Sequence, residues 1–106
     1  MRDSMEDIRT LDELRDFIHQ KLCEKENLLP DQFRMSEMQL IKRGRSCGMQ
    51  FLLQGPRSVR LGAIWASDHN EIYLYDTQGV RYQKVRLKCR LRIDEQPAEV
   101  VDRPAA

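Results

Sequence analysis

Five cations, Lys84, Arg86, Lys88, Arg90 and Arg92, occupy alternate positions, with Val85, Leu87, Cys89, Leu91 and Ile93 between and after them. On an extended chain this spacing puts the charges on one face, about 6.7 Å apart, and the apolar side chains on the other. Such a row can pair with phosphates or carboxylates, so the partner class it implies is a polyanion, either nucleic acid or an acidic protein. Arg57, Arg60 and Arg81 are placed to widen the track. A plainer reading stands beside this one. Neighbouring charges at that spacing repel by only about 0.6 kcal/mol in water, so the row needs no ligand to exist. Cations on an exposed strand also discourage edge-to-edge aggregation.

Tyrosines beside the row would change its chemistry, because bases of single-stranded nucleic acid stack on aromatic rings. The candidates are Tyr73, Tyr75 and Tyr82. Their faces depend on the turn at residues 76–79, which has Asp first and Gly fourth. That chemistry favours a type I turn closed by a left-handed glycine, a G1 bulge. In the bulged register Tyr73 and Tyr75 share the face of Val85 and Leu87, and only Tyr82 joins the cations. One residue of slip reverses every face and sets Tyr73, Tyr75 and Tyr82 beside the charges. The turn residues favour the bulged register.

Other chemistry has little to stand on. Cys23, Cys47 and Cys89 are odd in number and lack CxxC spacing, which argues against a disulfide framework or zinc ribbon and for free thiols. His19 and Cys23 share a helix face, but no second ligand pair follows them, so no metal site is expected. Ser67, Asp68 and His69 are adjacent along the chain, whereas a triad converges from separate elements. Phosphate-binding glycine loops, GxSxG and HExxH are absent. The expectation is a protein that is not an enzyme and carries no cofactor.

The elements that must position the row follow from hydrophobic period. Thr10 and Glu13 are spaced as a capping box, and Leu11, Leu14, Ile18 and Leu22 then form one helical stripe with Phe17 on its flank. Lys25 suits the helix end, and Asn27 and Pro30 stop it. Beyond it the period falls to two, giving strands at about 37–43, 47–54, 58–66, 71–75 and 80–93, separated by short turn clusters. Links this short join antiparallel neighbours. The predicted fold is therefore α+β: one N-terminal amphipathic helix on a five-stranded antiparallel meander, open or curled toward a small barrel. Strand 80–93 outruns its partner. Its overhang needs a neighbour, which could be the first strand, none, or a second copy of the chain in a homodimer.

The 106 residues make one domain. Residues 1–9 read as a loose lead-in, 10–93 as the domain and 94–106 as an acidic, flexible tail. The net charge of +1 conceals an asymmetry: −3 over residues 1–29, +2 over 30–56, +5 over 57–93 and −3 over 94–106. The tail's Asp94, Glu95, Glu99 and Asp102 could fold back to screen the row. With no long apolar run and a polar start, no membrane partner is expected, and the default address is the cytoplasm. A helix followed by a five-strand meander resembles the Sm-like RNA-binding family, and Gly62, Ile64, Asp68, Asn70 and Leu74 are similar in type to its first motif. The asparagine stands early and the second motif's arginine–glycine pair is missing, so no RNA-binding residue carries over. Two functions remain: a non-catalytic polyanion-binding module using the basic face of the last strand, or a homo-oligomeric interaction module in which that strand forms the interface and the cations are a solvated face.

Overall fold

The computed structural model describes residues 2–29 and 32–91. The elements run β1 (Arg2–Glu6), α1 (Leu11–Lys25), β2 (Met35–Lys42), β3 (Arg45–Gln54), β4 (Arg60–Ala66), β5 (Glu71–Tyr75) and β6 (Arg81–Leu87). They make one helix on an open six-stranded sheet of order β1-β6-β5-β4-β3-β2. The class is α+β as expected, but the sheet is mixed: β1 runs parallel to β6, while all other pairs are antiparallel. The sheet does not close into a barrel.

The helix forms where its signals stand. The Thr10 hydroxyl accepts the Glu13 N–H at 3.1 Å and donates to the Glu13 carboxylate at 3.2 Å. At the other end Asn27 takes the left-handed conformation, and the Asn27 and Leu28 N–H groups return to the Glu24 and Cys23 carbonyls, which is a Schellman cap. Leu14, Ile18, Leu22 and Cys23 are buried against the sheet, with Leu11 and Phe17 at the margin. Arg15 Nε donates to Glu37 on β2 at 2.7 Å, and His19 Nε2 lies 2.7 Å from the Phe33 carbonyl oxygen, so helical polar groups tie down the strand entry. The helix carries the chain from one sheet edge to the other across a single face, and the meander then returns strand by strand.

The core lies between α1 and that face. Phe51 and Leu53 of β3, Leu61, Ala63 and Trp65 of β4, Ile72 and Leu74 of β5, and Val85 of β6 are all at most 1% exposed. Every second residue points the other way, onto a face that no element among the described residues covers.

Three expectations need correcting. Arg2–Glu6, expected as lead-in, form β1, and Ile8 just beyond is buried. This segment has no alternating apolar pattern; it is a strand because β6 offers unpaired backbone groups that β1 satisfies. β1 therefore occupies the outer edge of β6 from Gln83 to Leu87. The last strand also stops at Leu87 instead of reaching Ile93. Buried Asn70 captures its exit: the side-chain amide donates to the carbonyls of Leu87 at 3.3 Å and Cys89 at 2.8 Å, and the Asn70 backbone carbonyl accepts the Leu87 N–H at 3.1 Å. Backbone groups bound this way are withdrawn from strand pairing. The expected tail, 94–106, lies outside the described residues.

Candidate functional site

The third correction decides the site. The turn after β5 has the expected form: the Gly79 N–H donates to the Asp76 carbonyl at 3.0 Å, the Asp76 N–H to the Val80 carbonyl at 2.9 Å, and Gly79 has φ +77°. Tyr75 then pairs with Arg81, as the G1 bulge requires. One step on, however, Leu74 pairs with Gln83, leaving Tyr82 as an extra residue. This second bulge cancels the parity change of the first. Beyond it Tyr73 stands opposite Lys84, Ile72 opposite Val85 and Glu71 opposite Arg86. Tyr73 and Tyr75 therefore belong to the cation face, contrary to the favoured register. Tyr82 turns inward instead, packing against the core with Lys25 Nζ 4.6 Å from its ring centroid. Its buried hydroxyl has no hydrogen-bond partner. Burial first, and then the charges of Asp76, Glu24 and Glu26, push its pKa up to about 12.

On the open face Arg81 lies over the Tyr73 ring at 4.0 Å and the Tyr75 ring at 5.4 Å from guanidinium carbon to centroid. Arg81 Nη2 also donates to the Tyr75 hydroxyl at 2.8 Å. Glu71 gathers the rest: Oε2 sits 3.5 Å from Lys84 Nζ and 3.2 Å from Arg86 Nε, and Oε1 accepts the Tyr73 hydroxyl at 3.0 Å. Burial pushes the Glu71 carboxyl up, but the Tyr73 hydroxyl and the charges and hydrogen bonds of Lys84 and Arg86 outweigh it, so its pKa lies below the ordinary value. Burial and the bond to Glu71 push the Tyr73 phenol up. Glu71 is therefore ionised and the Tyr73 phenol neutral throughout the neutral range.

Sheet register sets what lies beside the tyrosines. One cross-strand row reads Ser36, Leu52, Gly62, Tyr75, Arg81, and the next reads Met38, Gln50, Ile64, Tyr73, Lys84, Asp3. Met38 and Leu52 are 39% and 38% exposed, large values for apolar side chains. Arg60, at the start of β4, borders the same end as Tyr75, near a shallow depression of about 400 Å³ above Gly62. Cations on β6, with Arg60 at the start of β4, thus flank an aromatic and apolar centre.

Of the candidates read from sequence, Arg81, Lys84, Arg86, Tyr73, Tyr75 and Arg60 come together on this face. Lys88 and Arg90 lie past the end of β6, where Lys88 donates its backbone N–H to the Glu6 carbonyl at 3.0 Å and Arg90 Nη1 donates to the Ser67 carbonyl at 3.0 Å. Arg57 belongs to the loop between β3 and β4, with φ +54°. Arg92 is outside the described residues. The row of five is thus interrupted after Arg86. Glu71, Gly62 and Gln50 had no place in the sequence-based site. A cross-strand acid opposite Arg86 is a recognisable signal, but only once the register is known.

Among the described residues no helix is long and apolar enough to cross a membrane, and no group of three or more His, Cys, Asp or Glu is arranged to hold a metal ion. No known family model, curated protein or solved structure matches the chain.

Proposed function

We propose that the chain is a small non-catalytic binding module that takes single-stranded nucleic acid on its open sheet face. The observation that carries this reading is the common face of Tyr73, Tyr75, Arg81, Lys84 and Arg86 on β5 and β6. A sheet with one face backed by a helix and the other presenting aromatic rings among cations meets both demands of such a ligand: planar surfaces for bases and positive charge for the backbone. Arg81 serves both, since a guanidinium stacked on a ring leaves its outer face open to a base. Lys84 and Arg86 already neutralise Glu71, so the face is only moderately basic. That favours a ligand gaining from stacking over one held by charge alone. An acidic protein would use the cations and leave the rings idle.

The reading is tested by fluorescence anisotropy with labelled oligonucleotides of about eight nucleotides. Single strands should bind with an affinity that falls as salt rises, and more tightly than the matching duplex. Tyr73→Ala should weaken binding about tenfold or more, since stacking contributes roughly 1–3 kcal/mol per base. Binding of an acidic polypeptide that survives Tyr73→Ala would replace nucleic acid by a protein partner. Self-association through the face in gel filtration, with no nucleic-acid binding, would replace both by a second copy of the chain.

A further inference from the structure

Gly62 stands in the interior of β4, where neither a bulge nor a close contact requires it. A glycine within a strand is unfavourable relative to alanine, and it marks a bulge, a sharp bend or the close approach of another group. No bulge is present: the pairing of β4 with β3 and β5 runs without a register shift through Gly62, which faces Leu52 on one side and Tyr75 on the other. Its φ is not in the left-handed region, and a Cβ added there would meet only the Phe51 carbonyl oxygen, at 3.5 Å, an ordinary contact. The missing side chain instead opens the floor of the depression of about 400 Å³, which Gln50, Leu52, Arg60, Ile64 and Tyr75 border. That volume is at the lower end for small-ligand sites.

We infer that this depression is a single-nucleobase site. The inference rests on the nucleic-acid reading and gives it a defined base position. The base lies over Gly62 between Leu52 and the Tyr75 ring. The carboxamide of Gln50, exposed in the neighbouring cross-strand row, offers a donor and an acceptor side by side, the pattern that pairs bidentately with the polar edge of an unpaired base. Arg60, exposed at the mouth, takes a flanking phosphate. Asp76, also on the rim, is directed elsewhere: its carboxylate accepts the N–H groups of Gln78 at 2.9 Å and Val80 at 3.0 Å, which hold its pKa below the usual range. The phosphate path therefore runs on the Arg60 and Arg81 sides of the site.

The geometry allows a test that spares the fold. Gly62→Ile fills the depression with a side chain that strands favour, at a position with room for its Cβ. Adenine and uracil homo-oligomers of about eight nucleotides are titrated against wild type, Gly62→Ile and Gln50→Ala, with circular dichroism melts as the control for folding. Wild type should bind both oligomers, Gly62→Ile should lose about tenfold in affinity for each, and Gln50→Ala should weaken both severalfold. If wild type binds single strands and Gly62→Ile binds them equally well, the base site is wrong while the proposed function stands. If wild type binds neither oligomer, the proposed function fails and takes the base site with it. Should Gly62→Ile fail to fold, Gln50→Ala decides: undiminished affinity for both oligomers overturns the inference.

Discussion

Glu71→Gln separates charge from shape at the centre of the open face. The amide keeps an oxygen to accept the Tyr73 hydroxyl, which lies 3.0 Å from Glu71 Oε1, but it removes the partner of Lys84 and Arg86. At neutral pH the variant should be less stable by about 2 kcal/mol. About half comes from exchanging a charged acceptor for a neutral one, and the rest from two ion pairs, of which Arg86 is the weaker because its side chain is 60% exposed. The sign with pH follows from the carboxyl's native pKa, which lies below the ordinary 4.5. Its stabilisation is present above that value and is lost as pH falls through the native pKa, so the stability curves of the two proteins should converge in acid. Binding should move the opposite way. One negative charge about 6 Å from a bound phosphate repels it by roughly 0.7 kcal/mol in water, so its removal should tighten single-strand binding about threefold. Two released cations should steepen the log–log salt slope by about 0.7–1.4 between roughly 50 and 200 mM salt. Anisotropy titrations and thermal melts on the same samples measure both effects. A folded Glu71→Gln protein with unchanged or weaker binding would refute the idea that Glu71 competes with phosphate for Lys84 and Arg86.

Two further expectations concern the fold that carries the face. Tyr82→Phe deletes a buried hydroxyl with no hydrogen bond and keeps the ring beneath Lys25, so it should stabilise the protein by about 1 kcal/mol and raise the Tm by several degrees. Because Tyr82 has a pKa of about 12, the native protein keeps a proton that the unfolded chain releases near pH 10; stability should fall as pH rises from 10 toward 12, and more shallowly in the Phe variant. A destabilised Tyr82→Phe would mean that the hydroxyl has a partner. Asn70→Ala should lose about 2–3 kcal/mol and speed amide exchange around residue 87, whereas Asn70→Gly should lose about 1 kcal/mol less, because glycine accepts the φ of +53° at this position.

What could be read in the chain was mostly local. The Thr10 cap and the stripe from Leu14 to Leu22 depend on near neighbours in sequence, and both stand in the structure. The turn at Asp76 was legible for the same reason. The faces of Tyr73 and Tyr75 were not, because they depend on a second bulge at Tyr82, where no glycine or turn residue announces it. That bulge accompanies packing of the Tyr82 ring beside Lys25 at the helix end, a contact between residues 57 positions apart. The end of β6 was hidden in the same way. Residues 88–91 continue the alternation of charge and apolarity, but Asn70, a turn residue distant in sequence, takes the carbonyls. β1 could not be read from its own composition, since its pairing satisfies β6 and not a hydrophobic pattern of its own. The cation row that first drew notice is thus shorter than it looked, and what gives the surviving part its meaning is the pair of tyrosines beside it.

The central claim is that stacking on Tyr73 and Tyr75, and not charge alone, holds a single strand on the open face. The most direct measurement is anisotropy of a labelled single strand with wild type and Tyr73→Ala/Tyr75→Ala, read as affinity and salt slope together. The expected result is a loss of about thirtyfold or more for the double variant with the salt slope nearly unchanged, because two bases lose their platforms, at roughly 1–3 kcal/mol each, while the phosphate contacts remain. An unchanged affinity in a folded double variant would contradict the claim.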